Sequence, residues 1–163
     1  MKLRRVLSAI MLVAIVIMTT SCGSKTDAET ASISPATLAD DMVKALNAQG
    51  ELVEVASSVV SNYYNLNEEI IKEYKIYISS SFIAEEIAVF NIANKSDADK
   101  AKSIIEERIL ALKETFTGYL PEELATLEQN ATILTNGTIV AFVSGTKEGV
   151  AAATEVFNNA FKK

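Results

Sequence analysis

An Asn-Gly pair at Asn136-Gly137 separates two short apolar segments, and it constrains the fold of this chain more than any other local feature. Both residues tolerate positive φ, so such a pair between alternating apolar runs is a strong signal for a two-residue β-hairpin. The flanking segments, residues 131–135 and 138–144, are therefore predicted to be neighbouring antiparallel strands.

A second pair of strands is predicted nearer the middle of the chain. Residues 73–79 alternate, with Tyr74, Ile76 and Ile78 on one face, which is typical of a strand with one buried side. Residues 86–92 are apolar on both faces, as expected of a more central strand. The chain is thus expected to contain two hairpins.

Helical patterns surround these hairpins. The most regular one, residues 96–117, has apolar residues every three or four positions. The other predicted helices are residues 35–49, residues 52–66, a short helix from Pro121 and residues 147–161. Hairpins separated by helices predict an α+β two-layer sandwich, with a mainly antiparallel four-stranded sheet and helices packed on one face.

The single cysteine of the chain, Cys22, directly follows a hydrophobic N-terminal segment. Lys2, Arg4 and Arg5 make the start basic, and Val6–Met18 is almost continuously apolar. This arrangement is typical of a bacterial lipoprotein signal, in which the cysteine is lipidated and becomes the new N-terminus. We therefore expect a lipidation site at Cys22.

Two alternatives to lipidation are open. The apolar run has about 13 residues, whereas a membrane-spanning helix needs roughly 20, which argues against a transmembrane anchor. An ordinary secretory signal with a chance cysteine is the stronger alternative, since Thr19 stands where leucine is usual in lipoprotein signals. The lipoprotein prediction divides the chain into a signal peptide at 1–21, a flexible tether at 22–35 and a single domain at 36–163.

Composition limits the partners of the expected mature protein. Loss of Lys2, Arg4 and Arg5 with the signal leaves 12 basic and 21 acidic residues, a net charge of −9. Such a surface repels nucleic acid and anionic membrane, so neither is expected as a direct ligand. Once its cysteine is lipidated the chain cannot form a disulfide, and the domain must be held by its core alone.

The residues needed for several common chemistries are missing from the sequence. The chain has no histidine and, after lipidation, no free thiol, which excludes histidine-assisted nucleophiles and the usual zinc sites. The sequence also lacks the glycine-rich phosphate loop and the acidic calcium loop. We therefore expect no catalytic residues, no metal and no cofactor.

Two features remain as candidates for a functional role. Glu86 enters an apolar predicted strand, where it could be buried against Lys75 or Arg108. The Ser79–Phe82 loop is polar with one aromatic residue, so it could bind a ligand or be a plain connection. The Glu-Glu doublets are poor acid/base pairs, because neighbouring side chains diverge on both strands and helices.

Several stretches of the chain show a pattern known from other proteins: residues 85–90, 96–101, 116–123 and 133–144. In the type and order of these segments the chain resembles the bacterial lipoprotein family known as domain of unknown function 4358, found mainly in Gram-positive bacteria. It departs from the family at residues 65–67, where a glycine-containing turn is more usual. The resemblance implies extracytoplasmic attachment and no established activity, and it supplies no site residues.

These observations predict a lipid-anchored protein on the extracytoplasmic face of the cell membrane, acting as a binding or protein-interaction module. Its expected partners are the membrane, through the lipid on Cys22, and an extracytoplasmic protein or small ligand of unknown identity. A helix-free sheet face around Lys75, Tyr77 and Ser79 would offer a binding surface. The alternatives are a carboxylate-dependent enzyme or enzyme modulator of the cell envelope, and a structural envelope component.

Overall fold

The computed structural model describes residues 33–162, which form four α-helices and five β-strands. The helices are α1 Pro35–Leu46, α2 Ala98–Phe116, α3 Pro121–Asn130 and α4 Lys147–Ala160. The strands are β1 Leu52–Glu54, β2 Ile71–Ser79, β3 Glu86–Ile92, β4 Thr132–Asn136 and β5 Ile139–Ser144. Short 3₁₀ helices cover Ser57–Asn62 and Lys95–Asp97.

The five strands form one antiparallel sheet in the order β1-β2-β3-β5-β4. The central strand, β3, pairs with β2 on one side and β5 on the other, so that Glu86 lies opposite both Ile78 and Ser144. In the β4–β5 hairpin Gly137 begins the two-residue turn with a φ of 61°, whereas Asn136 has no positive φ and is the last residue of β4. The two predicted hairpins are confirmed, and they are joined through the pairing of β3 with β5.

Both faces of the sheet are buried. On one face Ile87 and Val89 of β3 pack with residues of α1 and α4. On the other face Ala88 and Phe90 pack with residues of α2 and with Leu127 of α3. Because successive side chains of a strand point to opposite faces, β3 contributes to two separate cores.

The α+β class and the antiparallel sheet are confirmed, but two details of the predicted sandwich are wrong. The sheet has five strands rather than four, because Leu52–Glu54 adds an edge strand. Helices cover both faces rather than one, since α1 and α4 lie opposite α2. Helices cover both faces of the sheet, so both faces of β3 are buried. This burial explains why the strand is apolar on both sides.

The sheet face around Lys75 and Tyr77 is therefore not the free surface that the sequence predicted. Tyr77 packs in the core beneath α1, and its hydroxyl donates a hydrogen bond of 2.6 Å to Oδ1 of Asp40. Lys75 Nζ lies 2.5 Å from Oε2 of Glu54 on the edge strand. Both polar side chains are held by neighbouring elements of the domain.

The helix predicted for residues 52–66 is also wrong. The segment begins as β1, with Val53 opposite Ile78, and continues as a 3₁₀ helix from Ser57. Val55 N–H extends the pairing by donating to Ile76 O at 2.9 Å. The β-branched valines suit an edge strand better than a helix, because their χ1 freedom is restricted in helices.

The remaining predicted elements are found close to their expected bounds. Helix α1 stops three residues earlier than predicted, where Asn47 adopts a left-handed φ of 48°. The signal peptide, Cys22 and most of the tether lie outside the described residues and stay predictions. None of the helices in residues 33–162 combines the length and apolarity needed to span a membrane.

Candidate functional site

The first residue of β3, Glu86, carries a carboxylate into the core. It is 3% exposed and shares its sheet face with Ala88 and Phe90. A buried carboxylate is tolerated only when a partner charge and hydrogen bonds replace the water that it has lost. The surroundings of Glu86 supply both.

Arg108, which lies on α2, forms an ion pair with Glu86. Its Nε lies 3.1 Å from each carboxylate oxygen, and its Nη2 lies 2.7 Å from Oε2. This two-pronged geometry fixes the guanidinium plane more firmly than a single contact would. Of the two partners that the sequence left open for Glu86, Arg108 is therefore the one observed.

Two tyrosines complete this charged cluster of Tyr63, Tyr64, Glu86 and Arg108. The buried Tyr64 hydroxyl donates a hydrogen bond of 2.5 Å to Oε1 of Glu86. The guanidinium carbon lies 5.3 Å from the ring centre of Tyr63 and 5.9 Å from that of Tyr64. These distances are within the range of cation–π attraction, which favours a cation over an aromatic face.

Burial and the contacts with Glu86 shift the pKa values of Tyr64 and Arg108. Burial is the main reason that the pKa of Tyr64 is well above its usual value, and the charge and hydrogen bond of Glu86 raise it further. Burial alone would lower the pKa of Arg108, but the hydrogen bonds and charge of Glu86 outweigh it and the pKa is raised. Tyr64 therefore stays a hydrogen-bond donor and Arg108 stays charged at neutral pH.

A pocket of about 280 Å³ opens beside this cluster. Its walls come from the β2–β3 loop and from one side of α2, and they include Tyr63, Ser79–Glu86, Arg108, Leu112, Thr115 and Phe116. Arg108 Nη1 has no hydrogen-bond partner within residues 33–162, in contrast to its Nε and Nη2. The pocket thus combines an oriented guanidinium with hydroxyl and apolar groups.

The β2–β3 loop is fixed at its second half by two carboxylates. Glu123 of α3 accepts a hydrogen bond from Ala84 N–H at 2.7 Å. Glu85 accepts from the backbone N–H groups of Gln49 and Gly50 at 2.8 and 3.0 Å. Phe82, between the fixed end and the serines, is 80% exposed. The loop therefore holds a large aromatic side chain in solvent at the edge of the pocket.

Glu85 and Glu86 are both lining residues of the pocket, and the carboxylate of each is already engaged. Glu85 binds two backbone N–H groups, and Glu86 binds Arg108 and Tyr64. Such an arrangement can orient a guanidinium and hold a loop, which suits binding better than proton transfer. Within residues 33–162 no set of three acidic side chains is grouped so that it could hold a metal ion.

Comparison with protein families identifies the chain. The family model described as a domain of unknown function, DUF4358, matches residues 44–145. The chain belongs to the DUF4358 family. No curated protein and no solved structure matches it.

The DUF4358 match contains the whole candidate site. The range begins within α1 and ends at the residue after β5, so it includes the charged cluster and every residue that lines the pocket. Helix α4 lies beyond the matched range. The pocket is thus built entirely from the part of the chain that defines its DUF4358 membership.

Sequence reasoning located the DUF4358 site in part. It singled out Glu86 and the Ser79–Phe82 loop, and the structure brings them into one pocket. It missed the role of Tyr64, whose hydroxyl would have been recognisable only with the fold in hand. The adjacent residues Tyr63 and Tyr64 could have pointed to the site, because the ring of Tyr64 packs in the core while Tyr63 lines the pocket.

Proposed function

We propose that this DUF4358 protein is a lipid-anchored binding protein on the extracytoplasmic face of the cell membrane, and that its ligand or partner occupies the pocket beside Arg108. The observation that carries the proposal is the exposed Phe82 ring on a loop held at Ala84 by Glu123. Ligand pockets are lined mainly by apolar and aromatic side chains with a few well-placed polar groups, and the pocket beside Phe82 has both.

The lipid anchor is supported by the sequence alone. A basic start, an apolar core and small residues precede Cys22, and two acyl chains on a modified cysteine suffice for stable membrane attachment. The family match adds no information on location, so the anchor needs its own test.

The non-enzymatic character of the proposal is supported by the engaged carboxylates. Glu85 and Glu86 are the acidic residues of the pocket, and both accept hydrogen bonds from fixed donors. A general acid or base must instead be free to exchange a proton with the substrate. The pocket residues favour binding over a carboxylate-dependent reaction.

The anchor is tested by Cys22→Ser in a cell supplied with labelled palmitate. We expect the variant to carry no label and to be found as uncleaved precursor or in the medium, since serine cannot form the thioether. Ser24→Ala, just beyond the modified residue, is the control and should be labelled like the natural protein. Membrane retention of a processed Cys22→Ser form would contradict the anchor.

The binding site is tested by photocrosslinking in intact cells. A benzophenone amino acid replaces Phe82 in one variant and Leu110, an exposed residue on α2 away from the pocket, in the other. We expect one discrete adduct from position 82 and none of the same mass from position 110. Identical adducts at both positions, or no adduct at position 82, would refute the proposed site.

A further inference from the structure

The charged side chains that line the pocket are all engaged by other groups of the domain, which bears on the kind of ligand that the pocket accepts. Arg108 and Glu86 neutralise each other through a two-pronged ion pair. Glu85 is held by two backbone N–H groups of the α1–β1 connection. An anion would meet no unpaired cation, and a cation would find both carboxylates already hydrogen-bonded, so an ion of either sign would leave water without full compensation. The charge distribution therefore favours a neutral ligand.

The polar groups of the pocket favour a ligand that both donates and accepts hydrogen bonds. Arg108 Nη1 is a donor without a partner within the described part of the chain. Ser80 and Ser81 line the same pocket, and a hydroxyl group can serve as donor and acceptor. Ligand hydroxyl groups have the same double capacity and match this lining.

The apolar groups of the pocket favour a ligand that also has a flat, non-polar surface. Phe82 presents an aromatic ring that is 80% exposed, and Leu112 and Phe116 add apolar wall. Burial of that ring face by a ligand would remove apolar area from water. The ligand thus needs an apolar face next to a rim of hydroxyl groups, a combination that pyranose rings have.

The size of the pocket limits how much ligand it encloses. Its volume of about 280 Å³ lies near the lower limit for small-molecule pockets, which is roughly 300 Å³. One sugar ring is of suitable size, and the remainder of a longer chain can extend into solvent from the open side.

We infer that the pocket binds one ring of a neutral oligosaccharide, with the C–H face of the ring on Phe82 and ring hydroxyls accepting from Arg108. The inference rests on the proposed binding function and names the ligand class for that site. Ser80 and Ser81 hydrogen-bond the hydroxyls on the loop side of the ring. Charged sugars are disfavoured, because they would lose hydration without gaining an unpaired counter-charge.

The test uses the full-length protein in detergent and three neutral probes: triacetylchitotriose, cellotriose and maltotriose. Isothermal titration gives the dissociation constant of each for the natural protein, for Phe82→Ala and for the control Leu110→Ala. We expect at least one probe to bind, about tenfold weaker to Phe82→Ala because ring stacking is lost. Leu110→Ala should leave the constant unchanged.

A fourth probe separates the ligand class from the binding function. N-acetylphenylalanine amide is neutral and apolar but has no hydroxyl groups. If it binds with the same dependence on Phe82 and no sugar binds, the oligosaccharide inference is wrong while the binding function stands. Sugar binding that is equal in Phe82→Ala would also overturn the inference. Failure of all four probes, together with no photocrosslink at position 82, would overturn both.

Discussion

The ion pair of Glu86 and Arg108 is nearly removed from solvent, with side-chain exposures of 3% and 13%. A buried pair of this kind contributes little beyond a matched apolar pair, but the loss of one partner leaves an uncompensated charge in the core. Tyr64 alone cannot replace the guanidinium, since its hydroxyl reaches only one carboxylate oxygen. The two charges are therefore expected to depend strongly on each other.

The variant Arg108→Met tests this dependence. We expect the free energy of unfolding to fall by about 3–5 kcal/mol, because Glu86 is left buried without its cation. The double variant Glu86→Gln with Arg108→Met should lose less, since no charge remains unpaired. Lys44→Met is the control: it breaks an exposed pair with Asp41, and such pairs contribute little to stability, so the free energy of unfolding should hardly change. Urea denaturation measures all three, and equal losses in Arg108→Met and in the double variant would contradict the coupling.

At the level of elements, the close packing of two helices explains why a glycine lies inside α4. Gly149 lies in the first turns of α4, where a Cβ atom would come 2.3 Å from the backbone oxygen of Leu46 at the end of α1. A backbone atom cannot move aside as a flexible side chain can. Gly149 thus allows α4 to approach α1 above the sheet.

Gly149→Ala is therefore expected to destabilise the protein by about 1–3 kcal/mol, as overpacked cores do. Helix propensity alone predicts the opposite sign, a gain of up to about 1 kcal/mol. The control is Ala151→Gly on the exposed side of the same helix, which should lose about 0.5–1 kcal/mol from propensity alone. Thermal unfolding measures both variants, and a higher melting temperature for Gly149→Ala would disprove the close approach.

Elements were predictable from the sequence where one local pattern fixes them. The period of α2, the Asn136-Gly137 turn and the apolar run of β3 each specify an element without help from the rest of the chain. Strand β1 has only three residues and exists because β2 offers an open edge, so its partner rather than its own pattern determines it. The pairing of Glu86 with Arg108 and Tyr64 likewise depends on how α2 and the 3₁₀ segment dock on the sheet.

At the scale of the whole molecule, the sheet between two helical layers gives the domain two cores. Phe90 and Phe142 lie in one core, and Val89 and Val143 lie in the other. The chain has no histidine, and its single cysteine is outside residues 33–162. The described domain therefore has no disulfide, and no imidazole makes its stability vary near neutral pH. We expect buried Tyr64 to contribute to its sensitivity to alkali, because burial raises the pKa of the hydroxyl.

Stability should fall steeply in alkali because Tyr64 keeps its proton longer in the folded than in the unfolded chain. Burial first, and then Glu86, raises its folded pKa well above the unfolded value, which is about 10. Its contribution is therefore fully present below about pH 10 and is lost as the pH rises toward the folded pKa. One such group gives a slope of up to about 1.4 kcal/mol per pH unit above that point.

Urea unfolding at a series of pH values from 8 to 11.5 measures this slope. Tyr64→Phe should be less stable at pH 8, through loss of the hydrogen bond to Glu86, but its stability should fall less between pH 10 and 11.5. Burial and the hydrogen bond to Asp40 also raise the pKa of Tyr77, so part of the alkaline slope should remain. Tyr119→Phe, at an exposed position, should leave the profile unchanged. Parallel profiles for Tyr64→Phe and the natural protein would mean that Tyr64 does not control the alkaline transition.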